Sequence, residues 1–284
     1  MIMIKKLLGV VALSLTCALS VAAEGGYRLE SAPNRINDMA ALQNGAKLFV
    51  NYCLSCHSAT SMRYNKLTDI GLTEEEIKRN LLFTTDKVGD LMQIAMTPAD
   101  AQKWFGAPPP DLSVIARAKS TTMGPSGVDY VYTFLRSFYR DASRPSGWDN
   151  LVFPSVGMPN VLWQLQGEHG LNHVKIAEST LADGTKQWMR TTADYDAQGF
   201  SVISTEALNG YNGSPVNKAT MIPANASQSA VFDSNVADLS NFLGWMAEPV
   251  QLLRKQIGVW VLLFLSIFFA VAWRLNAVFW KDVK

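Results

Sequence analysis

The residues best equipped for chemistry are Cys53, Cys56 and His57, in the run Cys53-Leu54-Ser55-Cys56-His57. Two thiols at this spacing lie on one face of a helical turn and can add to the two vinyl groups of a porphyrin. The imidazole of the next residue then points at the iron. This is the attachment signature of c-type haem, and one such run implies one covalently held haem c. A thioredoxin-like CxxC would ask for a βαβ setting, whereas the residues before Cys53 have helical spacing. A zinc centre would need two further ligands. His169 and His173, at i,i+4, are the histidines left to supply them, and both read more simply as surface residues.

His57 covers one side of the iron, so a second ligand must come from elsewhere. A second histidine would lower the haem potential and a methionine would raise it. The candidates are Met62, Met92, Met96, Met123, Met158, Met189, Met221 and Met246, with His169 and His173. Met62 is too close to His57 to cross to the other haem face, and Met246 has the spacing of a core residue. Met158 lies in Pro154-Ser-Val-Gly-Met158-Pro159, where a neighbouring glycine and proline can present a thioether rigidly; a gap-filling loop methionine remains open as its plainer reading. Haem propionates need donors, and Arg117 and Lys119 are candidates. An ordinary solvated helix end would also carry such cations.

These groups have to be exported and held. The N-terminus offers Lys5 and Lys6, an apolar run over 7–19 and small residues up to Ala23, the pattern of a secretory signal cleaved after residue 23. The apolar run is short for a membrane span. Cys17 lies inside this segment in a context that fits lipidation poorly. Removal of 1–23 takes two lysines and no acid, which leaves 23 basic against 24 acidic residues, a net of −1. Cys53 and Cys56 are then the only cysteines, too few for the disulfide staples of an exported protein. At the other end, 256–273 is uncharged and 275–280 extends the apolar stretch past Arg274, enough to cross a bilayer. Trp260, Trp273 and Trp280 suit the interfaces. An exported N-terminus and a single span leave the short tail in the cytoplasm. The expected organisation is a signal (1–23), an exported domain (24–248) and an anchor with a short tail (249–284).

Between the ends the reading is mainly α. Helical spacing runs over 39–57. Thr73 and Glu76 form a capping box opening a helix toward Leu82. Thr97-Pro98 opens another that Gly106 stops. After the stiff run Pro108-Pro109-Pro110, Asp111 is expected to cap a helix over 112–119. A helix with an aromatic face is expected over 128–139, and loop over 141–160. The segment 165–230, rich in Gly, Asn, Ser and Thr, reads as long loops with room for a hairpin. A strong helix returns over 234–247 with Val236, Leu239, Leu243 and Met246 on one face, ended by Glu248-Pro249.

The whole chain has 284 residues, 48% hydrophobic and 17% charged, with 25 Lys+Arg against 24 Asp+Glu. That balance offers no basic patch for nucleic acid. With Cys-Leu-Ser-Cys-His-Ser followed by Ser-Met-Arg-Tyr, Leu-Thr-Glu-Glu-Glu, Gly-Ala-Pro-Pro-Pro-Asp-Leu-Ser-Val-Ile-Ala-Arg-Ala, Asp-Tyr-Val-Tyr-Thr-Phe-Leu, Val-Gly-Met-Pro and Asp-Leu-Ser-Asn-Phe-Leu-Gly-Trp-Met-Ala-Glu-Pro, the chain resembles the cytochrome c1 family, the haem subunits of quinol–cytochrome c oxidoreductase. The resemblance implies a class I cytochrome c-like helical domain with long loops and one C-terminal transmembrane helix. It implies covalent haem on Cys53 and Cys56, His57 and Met158 as axial ligands, and a propionate region at Lys119 and Tyr130, with lysine where relatives carry arginine and Arg117 able to share the contact. It further implies a bacterial inner-membrane protein with its haem domain in the periplasm. Such a subunit transfers electrons and is not a catalyst on its own: it takes an electron from a Rieske iron–sulfur protein, passes it to a c-type cytochrome, and packs against a cytochrome b subunit in the lipid bilayer. Segment 165–230 matches the family least. The other readings are an anchored c-type carrier serving a different complex, and a haem enzyme or sensor with an open distal site.

Overall fold

The structure, a computed structural model, describes residues 27–122, 124–181 and 184–281. The expected signal, with Lys5, Lys6 and Cys17, lies outside them, as do Met123 and Lys284.

Helix α1 (Met39–Leu48) starts at Asp38, whose carboxylate accepts the Ala41 N–H at 3.1 Å. It runs directly into a π-helical turn, Phe49–Cys53, that ends on the first cysteine. A short strand β1 (Ala59–Arg63) and a 3-10 turn follow. The expected caps are present: Thr73 and Glu76 close a capping box at the start of α2 (Glu74–Asn80). After β2 (Leu91–Met92), which pairs with β1, Thr97 caps α3 (Pro98–Phe105), which Gly106 ends in the left-handed conformation. The helix expected over 112–119 is only the single turn α4 (Ile115–Ala118). Helix α5 (Gly127–Arg136) opens on a second capping box, Ser126 with Asp129. It ends earlier than its aromatic periodicity predicts, because Phe138–Arg140 leaves as strand β3 and pairs with β4 (Trp148–Asn150). The turn α6 (Trp163–Gln166) leads into the sheet.

Helix α7 (Ala226–Ala247) is the centre of the fold. It begins well before residue 234 because the Asn225 side chain accepts the N–H groups of Ser227 and Gln228. The sequence predicts one apolar face, yet every residue over 236–246 is buried. The polar ones are satisfied in place: Asp238 binds Arg35 at 2.5 Å and Asn44 at 2.8 Å, and Asn241 accepts the Arg35 N–H at 2.8 Å. Helix α1 crosses α7 at Gly45, where a Cβ would sit 2.4 Å from the Asp238 carbonyl oxygen. Phe49 and Phe242 meet there at 5.8 Å. Phe232, Leu239, Phe242 and Leu243 are fully buried, each worth about 1.5–3 kcal/mol. Arg136 at the end of α5 forks onto Asp233 at 2.6 and 2.8 Å.

Most of segment 165–230, expected as long loops with room for a hairpin, is instead a four-stranded antiparallel sheet: β5 (His169–Thr180), β6 (Lys186–Tyr195), β7 (Ser201–Ala207) and β8 (Val216–Pro223), in the order β7-β6-β5-β8. Leu171, Tyr195, Ala219 and Met221 form a second apolar cluster with Tyr139 and Leu151 of the β3–β4 region. The last helix, α8 (Gln251–Phe279), has 29 residues and buries none of them. At ~1.5 Å per residue its length exceeds the ~30 Å hydrocarbon core of a bilayer.

Candidate haem site

The N–H groups of Cys56 and His57 both donate to the Cys53 carbonyl, at 3.0 and 2.9 Å, closing a tight turn directly after the π-helical segment. Cys53 is buried within the main core cluster and Cys56 is more exposed. Burial, with the Cys56 thiol beside it, pushes the free Cys53 thiol up to about 12, so this thiol is protonated at neutral pH.

His57 is buried, and its Nδ1 donates to the Pro110 carbonyl at 2.7 Å. A carbonyl can only accept, so Nδ1 carries the proton and Nε2 keeps its lone pair for a metal. Burial also holds this imidazole below the usual histidine range, although Pro110 and Asp111 pull the other way. A neutral, oriented imidazole next to two thiols is the donor set an attached haem requires. Pro110 itself was not legible as a partner; the stiffness of the proline run was the only signal.

That run is strapped to the chain beyond the motif. Asp111 accepts the Thr60 N–H at 2.8 Å and the Ser113 N–H at 2.8 Å. Ser113 Oγ accepts the Ser61 N–H at 2.9 Å, and the Leu112 N–H donates to the Ser58 carbonyl at 2.9 Å. Asp111 therefore caps no helix; it staples 58–61 to 110–113. Burial would raise its carboxyl, but the hydrogen bonds from Ser113 and Thr60 outweigh that and hold it below the usual range.

Met62, Met92 and Met246 are fully buried in the core, and Met189 and Met221 belong to the sheet. Met158 is half-buried and packs against the same core cluster that contains Cys53 and Leu54. Arg117 pairs with Glu248 at 3.8 Å. Lys119 Nζ lies 4.8 Å from the centre of the Tyr130 ring, which stacks on Phe134, so these two of the expected propionate residues are brought together. His169 is not a surface residue: it is buried, its ring nitrogens 2.9 and 3.0 Å from the carbonyls of Phe138 and Gly167. His173 sits on β5 against Asn217 at 2.7 Å. Among the described residues no group of three His, Cys, Asp or Glu could hold a bare metal ion.

The model of the Cytochrome C1 family matches residues 31–193 and 216–283. Within 165–230 the unmatched piece is therefore 194–215, around β7, and not the whole segment. Cytochrome c1 of Allochromatium vinosum is 40% identical over 264 residues, 93% of each chain. A protein named ammonia monooxygenase gamma subunit, from Nitrosomonas europaea, is 38% identical over 90% of this chain and 89% of its own. Cytochrome c1 of Rhodospirillum rubrum is 28% identical over 87% of this chain and 83% of its own. With the Cys-x-x-Cys-His turn, its buried and oriented histidine and the apolar terminal helix, these matches lead to one conclusion: the chain belongs to the Cytochrome C1 family, membrane-anchored c-type cytochromes with one covalently attached haem c.

Proposed function

We propose that this chain is the fixed electron relay of a bc1-type complex, receiving one electron from a Rieske iron–sulfur protein and handing it to a c-type cytochrome. The observation that carries this reading is His57, neutral and locked by Pro110 with Nε2 free, in the turn that holds both cysteines. Bound there, haem supplies a one-electron ferric/ferrous couple. Cys53 and Cys56 would hold it through thioethers, and His57 and Met158 would both ligate its iron, which would leave no open position for small molecules and, through the methionine thioether, favour the ferrous state. Lys119 and Tyr130 are proposed near the propionates. Arg117, drawn to Glu248, is the weaker candidate of the three.

In this reading residues 24–248 form the domain on the periplasmic side of the bacterial inner membrane, and 249–284 the anchor and cytoplasmic tail. The exposed apolar surface of α8 packs against lipid and a cytochrome b subunit. The relative named as an ammonia monooxygenase subunit favours a second reading, an anchored carrier serving another complex. Affinity purification of the tagged full chain from its native membranes separates the two. Recovery with a cytochrome b and a Rieske protein, in a fraction that reduces a c-type cytochrome with quinol, is expected. Recovery with a different oxidoreductase and no quinol oxidation would reject the relay proposed here.

A further inference from the structure

Met158 lies in the loop that leaves β4, and that strand ends in two polar residues, Asp149 and Asn150, each only 1% exposed. Buried polar groups survive only when bonded, and the bonds of this pair run into the loop. Asn150 Oδ1 accepts the N–H groups of Val152 and Phe153 at 2.9 and 3.0 Å, and its Nδ2 donates to the Phe134 carbonyl at 2.8 Å. Asp149 reaches further: Oδ1 accepts the Ser155 N–H at 2.7 Å, and Oδ2 binds Arg144 Nη2 at 2.5 Å. The buried Arg144 Nε has no hydrogen-bond partner and lies 3.5 Å from Asp141 Oδ2.

Ser155 has φ of 62°, a positive value found at no other non-glycine among the described residues. L-residues avoid this region and stay there only where the surroundings impose it. The imposing contact is the bond from its N–H to the buried Asp149. The reversal it creates falls three residues before Met158. Beyond the methionine, the buried Asn160 accepts the Leu162 N–H at 3.0 Å and donates to Gln166 Oε1 at 2.5 Å. Gln166 in turn lies 3.2 Å from the Phe138 carbonyl, opposite Asn150 in the β3–β4 ladder. Residues 156–159 are thus suspended between two buried pins that both return to the same short hairpin.

We propose that Asp149, backed by Arg144, is a positioning residue for Met158: its bond to the Ser155 N–H sets the turn that keeps the thioether directed at the haem. This rests on the Met158 ligation proposed above. The test compares haem-loaded, full-length Asp149→Ala, Asp149→Asn and Met158→Leu with the parent. It reads the ferric methionine–iron charge-transfer band, the midpoint potential, the fraction of ferrous haem that binds carbon monoxide, and the thermal midpoint. Asp149→Ala is expected to weaken the band, lower the potential and raise the carbon-monoxide-reactive fraction about tenfold, the effect of losing a hydrogen bond to a charged group, with haem still covalently attached. Asp149→Asn, which keeps an oxygen for the Ser155 N–H, should fall between, with a rise of roughly threefold.

A merely structural Asp149 would lower the thermal midpoint while leaving band, potential and carbon monoxide exclusion at parent values, and that result overturns the proposal. If Asp149→Ala does not accumulate, Asp149→Asn decides by the same readings: parent values overturn the proposal and a raised reactive fraction supports it. Met158→Leu separates the two levels. A parent-like band in that variant removes the ligation reading itself, whereas a lost band there beside an unchanged Asp149→Ala removes only the positioning role.

Discussion

The proposed axial pair divides its burial unevenly: His57 is deep and pinned by a backbone carbonyl, while Met158 is half-buried on a loop. Met158→Leu should therefore cost ligation without costing attachment. The expected result is a lower midpoint potential, measured by redox titration, with colour retained after acid–acetone extraction because the thioethers persist. The types and spacing of Cys53, Cys56 and His57 were legible because the chemistry is written in five consecutive residues. The partners that orient them were not. Pro110 lies 53 positions from His57, and no local pattern announces a bond at that separation. The sequence misplaces His169 for a related reason: of the two carbonyls against its ring, Gly167 is a near neighbour but Phe138, at 2.9 Å, lies 31 positions away.

Elements follow the same divide between local and distant causes. The starts of α2 and α3 were readable from Thr73 and Thr97, because a cap and the N–H it accepts lie within three residues, and α5 was readable in outline from its aromatic face. The sheet was not, since its stability comes from pairings such as Leu171 with Met221, and β7 is exposed along its whole length, with no alternation to detect. Two predictions belong to this scale. A Cβ at Gly127 would fall 1.6 Å from the Ala116 carbonyl oxygen, so Gly127→Ala must force α4 and α5 apart. It should cost about 3 kcal/mol, read as a lower thermal midpoint of the haem-loaded protein. The second concerns the junction before α8. Glu248 accepts from Arg254 and pairs with Arg117. The Arg254 hydrogen bond, against the opposing effect of burial, holds its carboxyl below the usual range. A lowered folded value means the contribution is present above the unfolded value of about 4.3 and fades as pH falls through the folded one. Cleavage near 248–254 by an acid-active protease should accelerate below about pH 4, and Glu248→Gln should remove that acceleration.

At the scale of the molecule, a helical domain built around α7 is continued by a single apolar helix. Ending the chain after Glu248 is expected to yield a soluble, haem-bearing domain that stays in the supernatant after ultracentrifugation, with the visible spectrum of the full chain. A pellet of aggregated apoprotein would show that α8 is needed for folding as well as tethering. Only Glu248, Pro249 and Val250 separate the buried central helix from the one facing lipid, a leash of at most about 10 Å even when fully stretched. In the relay proposed above, a link this short limits how far the haem domain can travel from its anchor, so any long excursion needed to carry the electron is expected of the partners.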